Sequence, residues 1–197
     1  MNKIFSNVTW TETKIKELGE FKSGFTFKKE YQGHKNYEIP FFKISDMNNN
    51  KKYLIKSNNT INNDMLIKMG YKPMNKSSII FAKIGEAIYL ERKRIVNGCY
   101  LIDNNLLSFQ ANKGINLEFL YYLFLSIHFS KYAQQTAVPS LSIKDIGSII
   151  CKIPKDIEEQ NKIVQLFLNL DQKMDKIDRH IQLLKEYKKS LLQKMFI

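Results

Sequence analysis

Near the C-terminus, apolar residues recur at alternating intervals of four and three: Ile163, Phe167, Leu170, Met174, Ile177, Ile181, Leu184, Leu191 and Met195, with Lys188 on the same line. This is a heptad seam, with Phe167, Met174, Ile181, Lys188 and Met195 at a, and Ile163, Leu170, Ile177, Leu184 and Leu191 at d. The opposite side carries Gln172, Arg179, Glu186 and Gln193, all polar. Pro154 stops whatever precedes, and Asp156 with Glu159 supplies an N-cap and its box partner. Neither Gly nor Pro follows Lys155. A helix over 156–195 is about 60 Å long. It cannot bury its seam against itself, so the pattern predicts a partner helix.

Upstream, the pattern is that of a compact domain. Residues 10–22 form a short amphipathic start with Ile15 and Leu18 buried, and 23–31 a loop opened by Gly24. Strands are expected at 39–44, 53–56, 78–83, 87–90, 99–102, 106–110 and 149–153. Helices are expected at 62–69, closed by Gly70, and at 117–134, capped by Asn116, with one further turn begun by Ser142 and Asp145. The fold class is α+β: a mixed, twisted sheet with few helices over 1–154, followed by the long coiled-coil helix of 155–197.

Charge divides at the same boundary. The chain of 197 residues has 31 Lys/Arg against 19 Asp/Glu, a formal net charge of +12. Eight basic and seven acidic residues fall from Asp156 onward, leaving 23 basic and 12 acidic before it. The domain is therefore +11 and the helix near neutral, which suggests a polyanion for the first and a protein for the second. Because 28 of the 31 basic residues are Lys in an Asn- and Ile-rich chain, codon bias also explains part of the excess.

Basic residues interleave with aromatics and amides in three loop-like stretches. Thr26, Lys28 and Lys29 lie in the first; Asn48, Asn50, Lys51 and Lys52 in the second; Arg92, Lys93 and Arg94 in the third, with Lys43 and Lys83 between them. Lys and Arg neutralise phosphates, while Asn and Thr read base edges, so these twelve residues are the DNA-contact candidates. Much other chemistry is excluded. No phosphate-cradling glycine loop and no nucleophile elbow occur, and His34, His128 and His180 have no metal spacing. Cys99 and Cys151 are too few for a disulfide framework. No signal peptide and no membrane span is expected, which predicts a soluble cytoplasmic protein. One alternative is a metal-dependent nuclease or other DNA-modifying enzyme built on Asp46, Glu91 and Lys93, since Glu-x-Lys with a distant carboxylate loosely fits a metal-dependent nuclease site. Another is a structural coiled-coil adaptor.

The chain resembles the specificity subunits of Type I restriction–modification systems, and one half of such a subunit in particular. Weak segments of the resemblance are Trp10 with Ile15-Lys16-Glu17-Leu18-Gly19-Glu20 and Ser23-Gly24, then Ile39-Pro40-Phe41-Phe42-Lys43-Ile44-Ser45-Asp46-Met47, and Ser78-Ile79-Ile80-Phe81-Ala82-Lys83-Ile84-Gly85-Glu86. The specific segment is Pro139-Ser140-Leu141-Ser142-Ile143-Lys144-Asp145-Ile146, followed by Ile153-Pro154, Glu158-Glu159-Gln160-Asn161-Lys162-Ile163-Val164 and Leu170-Asp171.

This resemblance implies a non-catalytic DNA-recognition domain without a cofactor of its own. It implies partner methyltransferase subunits that use S-adenosylmethionine, and a restriction subunit that uses ATP and Mg²⁺. Such subunits usually carry two recognition domains whose helices pair antiparallel as a spacer, each domain reading half of a split site in double-stranded DNA. With one domain and one helix, two explanations fit, a fragment of a longer subunit or a half-subunit; the expectation is the half-subunit, forming a homodimer with its interface at Ile163, Phe167, Leu170, Met174, Ile177, Ile181, Leu184, Lys188 and Leu191.

Overall fold

A computed structural model describes residues 8–48 and 51–196. Its scaffold is an antiparallel four-stranded sheet built from β2 (Gly19–Ser23), β5 (Ser78–Ala82), β6 (Lys93–Val96) and β8 (Leu106–Ala111), in the order β2-β8-β5-β6. Side chains alternate across it, as the pleat requires. Ile79, Phe81, Ile95, Leu107 and Phe109 face one way, into a core shared with α1 (Ile15–Leu18) and α3 (Leu117–Ser126). Ile80, Val96 and Leu106 face the other, against a smaller sheet.

That second sheet has the order β4-β3-β7, from β3 (Ile39–Phe42), β4 (Thr60–Ile61) and β7 (Leu101–Ile102). β3 runs antiparallel to β4 and parallel to β7. Its far face, with Ile39, Phe41, Ile61 and Leu101, packs on Phe27 and on α2 (Asn63–Met69). The two faces of two sheets thus give three stacked apolar clusters, so the fold is α+β with a pair of sheets where one mixed sheet was expected.

Flanking pieces close the structure. β1 (Trp10–Lys14) pairs antiparallel with β11 (Ile150–Pro154), β9 (Ala133–Gln134) with β10 (Ser140–Leu141), and α4 (Ile143–Ser148) lies between them in sequence. α5 (Ile157–Phe196) follows β11 after two residues. Side-chain oxygens cap three helices, at Asn116 and Ser142 as expected and at Asn62, read as the first helical residue. Asn62 Oδ1 accepts from Met65 N at 2.9 Å, Asn116 Oδ1 from Glu118 N at 2.8 Å, and Ser142 Oγ from Lys144 N at 3.2 Å. Gly70, in the left-handed region at φ 67°, ends α2. At α5, Asp156 Oδ1 accepts from Glu158 N, and Glu159 pairs with Lys162.

Four expectations are corrected. Residues 92–94, read as a loop, run into β6, where Phe81 pairs with Lys93 and Ile79 with Ile95. Residues 87–90, read as a strand, lie in a 3-10 turn (Glu86–Ile88) entered through Gly85 at φ 82° and in the turn that follows it. Residues 53–56 form only a bridge from Tyr53 to Ile95, with Leu54 N donating to Ile95 O at 2.7 Å. The helix begun at Leu117 ends at Ser126, well short of 134. Its continuation is captured by other groups. Glu91 accepts from Phe129 N at 3.2 Å and Ser130 N at 2.8 Å, and Lys93 Nζ donates to Ile127 O at 3.0 Å, so those backbone groups make no helical hydrogen bonds.

Candidate nucleic-acid interface

The first basic stretch is surface loop. Gly24 permits it, because a Cβ there would lie 2.1 Å from Asp103 O and 2.4 Å from Ile102 O. With that close approach, Phe25 N donates to Ile102 O at 2.8 Å, and the chain leaves the sheet as a loop. Phe27 anchors it by stacking on Phe41, with ring centroids 3.8 Å apart. Phe25 stacks on Tyr71 at 4.5 Å, and the Tyr71 hydroxyl donates to Thr26 O at 2.6 Å. Thr26, Lys28 and Lys29 are left exposed, Lys28 within 4.0 Å of Glu30.

In the second and third stretches most basic side chains are engaged by other groups of the chain, although Asn48 and Lys51 stay exposed. Lys93 is 1% exposed. Its ammonium forms an ion pair with Glu91 and lies 4.6 Å from the centroid of Phe129. It cannot touch DNA, because the folded chain surrounds its charge. Arg94 donates to Met47 O at 3.1 Å and to Lys93 O at 2.8 Å, and Arg92 donates to Asn48 Oδ1. Lys43 donates to Gln32 Oε1 at 3.1 Å, and Lys83 is half-buried. Asn50 lies outside the described residues.

Lys51 and Lys52 turn towards the long helix. Lys51 pairs with Asp175 at 2.7 Å in the open. Lys52 is the hub of a half-buried cluster: its ammonium meets Glu118 at 2.5 Å, Asp171 at 3.8 Å and the Tyr122 hydroxyl at 2.8 Å. Tyr122 in turn donates to Asp171 at 2.5 Å, and Tyr53 to Glu118 at 2.5 Å. Burial, together with the Glu118 carboxylate, pushes the Tyr53 phenol up to about 12. Burial and Asp171 likewise push Tyr122 well above its ordinary value. Both phenols therefore remain donors at neutral pH.

One turn into α5, Gln160 is fully buried and bridges two elements. Its Oε1 accepts from Asn116 N at 2.9 Å and its Nε2 donates to Pro154 O at 3.0 Å. Ile163 and Val164 enter the core beside α3. Ile163, assigned above to the dimer seam, is thus 5% exposed and belongs to the domain. The remaining seam is open: Phe167, Leu170, Met174, Ile177, Ile181, Leu184 and Leu191 are all exposed, Met174 at 63%. Lys188 is exposed beside them.

The residues of the nuclease alternative have structural work instead. Asp46 Oδ2 accepts from Lys43 N at 2.8 Å, and its Oδ1 from Asn58 N and Nδ2 at 2.9 and 2.7 Å. Glu91 holds the end of α3 as described. Among the described residues no group of three His, Cys, Asp or Glu is placed to hold a metal ion.

The structure also gathers basic residues that the sequence reading passed over. An open cleft of about 380 Å³ is bordered by Lys22, Lys72 and Lys76, with Ser23, Phe25, Asn75 and Gln110. Lys22 sits on β2, fifty residues from Lys72, so spacing alone gave no signal of the grouping.

The structure is thus a basic domain with a long helix docked on it through polar groups. Residues 7–186 match the type I restriction modification DNA specificity domain, and the chain belongs to that family. Its fold is similar to the type I restriction–modification S subunit from M. genitalium (16% identity, TM-score 0.64, 99% of this chain and 48% of that one). It is similar also to the HsdS subunit from Thermoanaerobacter tengcongensis (15%, 0.65, 95% and 44%). A chain from a structural study of complex assembly and conformational transition of the type I R-M system gives 16%, 0.71, 94% and 44%. The chain spans less than half the length of each. Among the described residues no helix is long and apolar enough to cross a membrane.

Proposed function

We propose that this chain reads one half of a bipartite target in double-stranded DNA and directs partner methyltransferase and restriction subunits to it. The observation that carries this reading is the match of residues 7–186 to a DNA specificity domain. The +11 charge before Asp156 supports it. Thr26, Lys28 and Lys29 keep exposed side chains on a loop built outward from the sheet, and of the other candidates Asn48 and Lys51 are exposed too. S-adenosylmethionine, ATP and Mg²⁺ belong to the partner subunits, and the site of action is the cytoplasm.

The α5 seam takes a second copy of this chain, antiparallel. Charge supports that direction. Residues 157–178 hold five acidic and three basic residues, while 179–196 hold five basic and one acidic. Opposed halves then attract, whereas parallel halves repel. Lys188 at an a position restricts the register. The helix, about 60 Å long, then spaces two recognition domains along a split site. Leu183 and Tyr187, exposed outside the a and d positions, leave apolar surface for the methyltransferase subunits.

The test is duplex binding by the full chain, alone and with its methyltransferase subunit, across salt and with Mg²⁺. Salt-sensitive binding to a preferred sequence without cleavage is expected. Metal-dependent cleavage by this chain alone, or no affinity even with the partner, overturns the reading.

A further inference from the structure

β2 is an edge strand of the large sheet, and its pleat sorts its side chains. Phe21 packs against Phe109 on the α3 side. Lys22, paired with Ser108, therefore emerges on the opposite face, above the second sheet. There the residues after α2 fold back along it. Met74 N donates to Tyr100 O at 2.9 Å and Tyr100 N to Met74 O at 3.0 Å, which brings Lys72 and Lys76 to the same cleft as Lys22. Asn75 and Gln110 line it with amides, and the Phe25–Tyr71 stack lies at its Phe25 wall.

Three residues lining the cleft are basic and none is acidic, the carboxylate beside them being that of Glu20. Glu20 pairs with Lys22 at 2.6 Å, and Lys22 and Lys76 hold its carboxyl below the usual range. The cleft keeps a net charge of +2, and it opens beside the loop of Thr26, Lys28 and Lys29. We propose that this cleft is a seat for the sugar–phosphate backbone of DNA, with Lys22, Lys72 and Lys76 neutralising phosphates and Asn75 and Gln110 hydrogen-bonding beside them. The assignment rests on the DNA-recognition reading and says where the backbone lies. Phosphate contacts fix register and orientation while carrying little sequence information, so these lysines position the duplex for the neighbouring loop.

The experiment uses the full chain and a 30-bp duplex, with affinity measured by fluorescence anisotropy over a series of KCl concentrations. Each phosphate contact adds about 0.9 to the slope of log K against log[salt]. The triple variant K22Q/K72Q/K76Q should lower the slope by about two to three, weakening binding to all duplexes alike. A control with the same charge change on the β11 side, K144Q/K152Q/K155Q, should keep the wild-type slope. Lysine acetylation with and without duplex gives a second readout, with protection expected at Lys22, Lys72 and Lys76. Equal slopes for the two triple variants, or no protection in the cleft, overturn the assignment while leaving the DNA reading intact. A wild-type chain that binds no duplex at low salt overturns both.

Discussion

The Tyr122 hydroxyl donates a 2.5 Å hydrogen bond to Asp171, joining α3 to α5 two turns beyond Val164, where the helix leaves the core. Phe167 stacks on Tyr122 at 4.8 Å from the same side of α5. With Gln160 buried one turn into the helix, these contacts set the direction in which the rod leaves the domain. The Glu-Gln-x-x-Ile and Leu-Asp positions noted in the sequence are thus docking residues: Gln160, Ile163 and Asp171 all face the domain.

Lys52 should be the weak point of that docking. Its side chain is 15% exposed, and removing it leaves Glu118 and Asp171 facing each other without a cation. Lys52→Met should cost about 3–5 kcal/mol. Tyr122→Phe should cost about 1.5–3 kcal/mol, since it removes a hydrogen bond to a charged group. Thermal unfolding reads both, and unchanged melting would show that the cluster holds nothing.

Leu170 and Ile177, which lie beyond the buried start of the seam, should govern assembly without touching the fold. Leu170→Asp with Ile177→Asp replaces exposed side chains, so melting should barely move while sedimentation shifts from dimer to monomer. A dimer that persists in this variant would place the interface elsewhere.

Lys93 should matter to stability alone. Lys93→Met leaves the Glu91 carboxylate half-buried without its cation and should cost about 3–5 kcal/mol. Adding Glu91→Gln should recover part of that loss, since neither partner is then charged. Duplex affinity per folded molecule, from titration at low temperature, should match wild type; a fall of tenfold would mean that Lys93 reaches DNA after all.

Acid should unfold the domain partly through Glu91. Burial opposes its ionisation, but hydrogen bonds from Lys93 and Ser130 outweigh this and hold the carboxyl below its usual range. A depressed carboxyl stabilises fully above its unfolded value, about 4.3, and loses that contribution as pH falls through the lower folded value. Melting temperature should therefore drop as pH falls below about 4.5, and Glu91→Gln should flatten that part of the profile. An identical slope in both proteins would exclude the role.

Much of the local architecture was legible along the chain. The caps at Asn116 and Ser142, the stop at Gly70 and the heptads of α5 depend on residues within a turn or two of each other, so neighbours in sequence suffice to specify them. The open seam followed too, because a long helix with one apolar face cannot cover it alone. Tertiary structure decided the rest. Lys93 reads as a solvated charge until β6 pairs with β5 and sets it against Glu91 and Phe129, and that same pair cuts α3 short by taking its next backbone groups. Ile163 fits the heptad, yet α3 claims it first. Lys22, Lys72 and Lys76 form a group only because an edge strand and a returning loop meet across fifty residues. Burial, ion pairing and charge grouping are set by contacts distant in sequence, which no local pattern records.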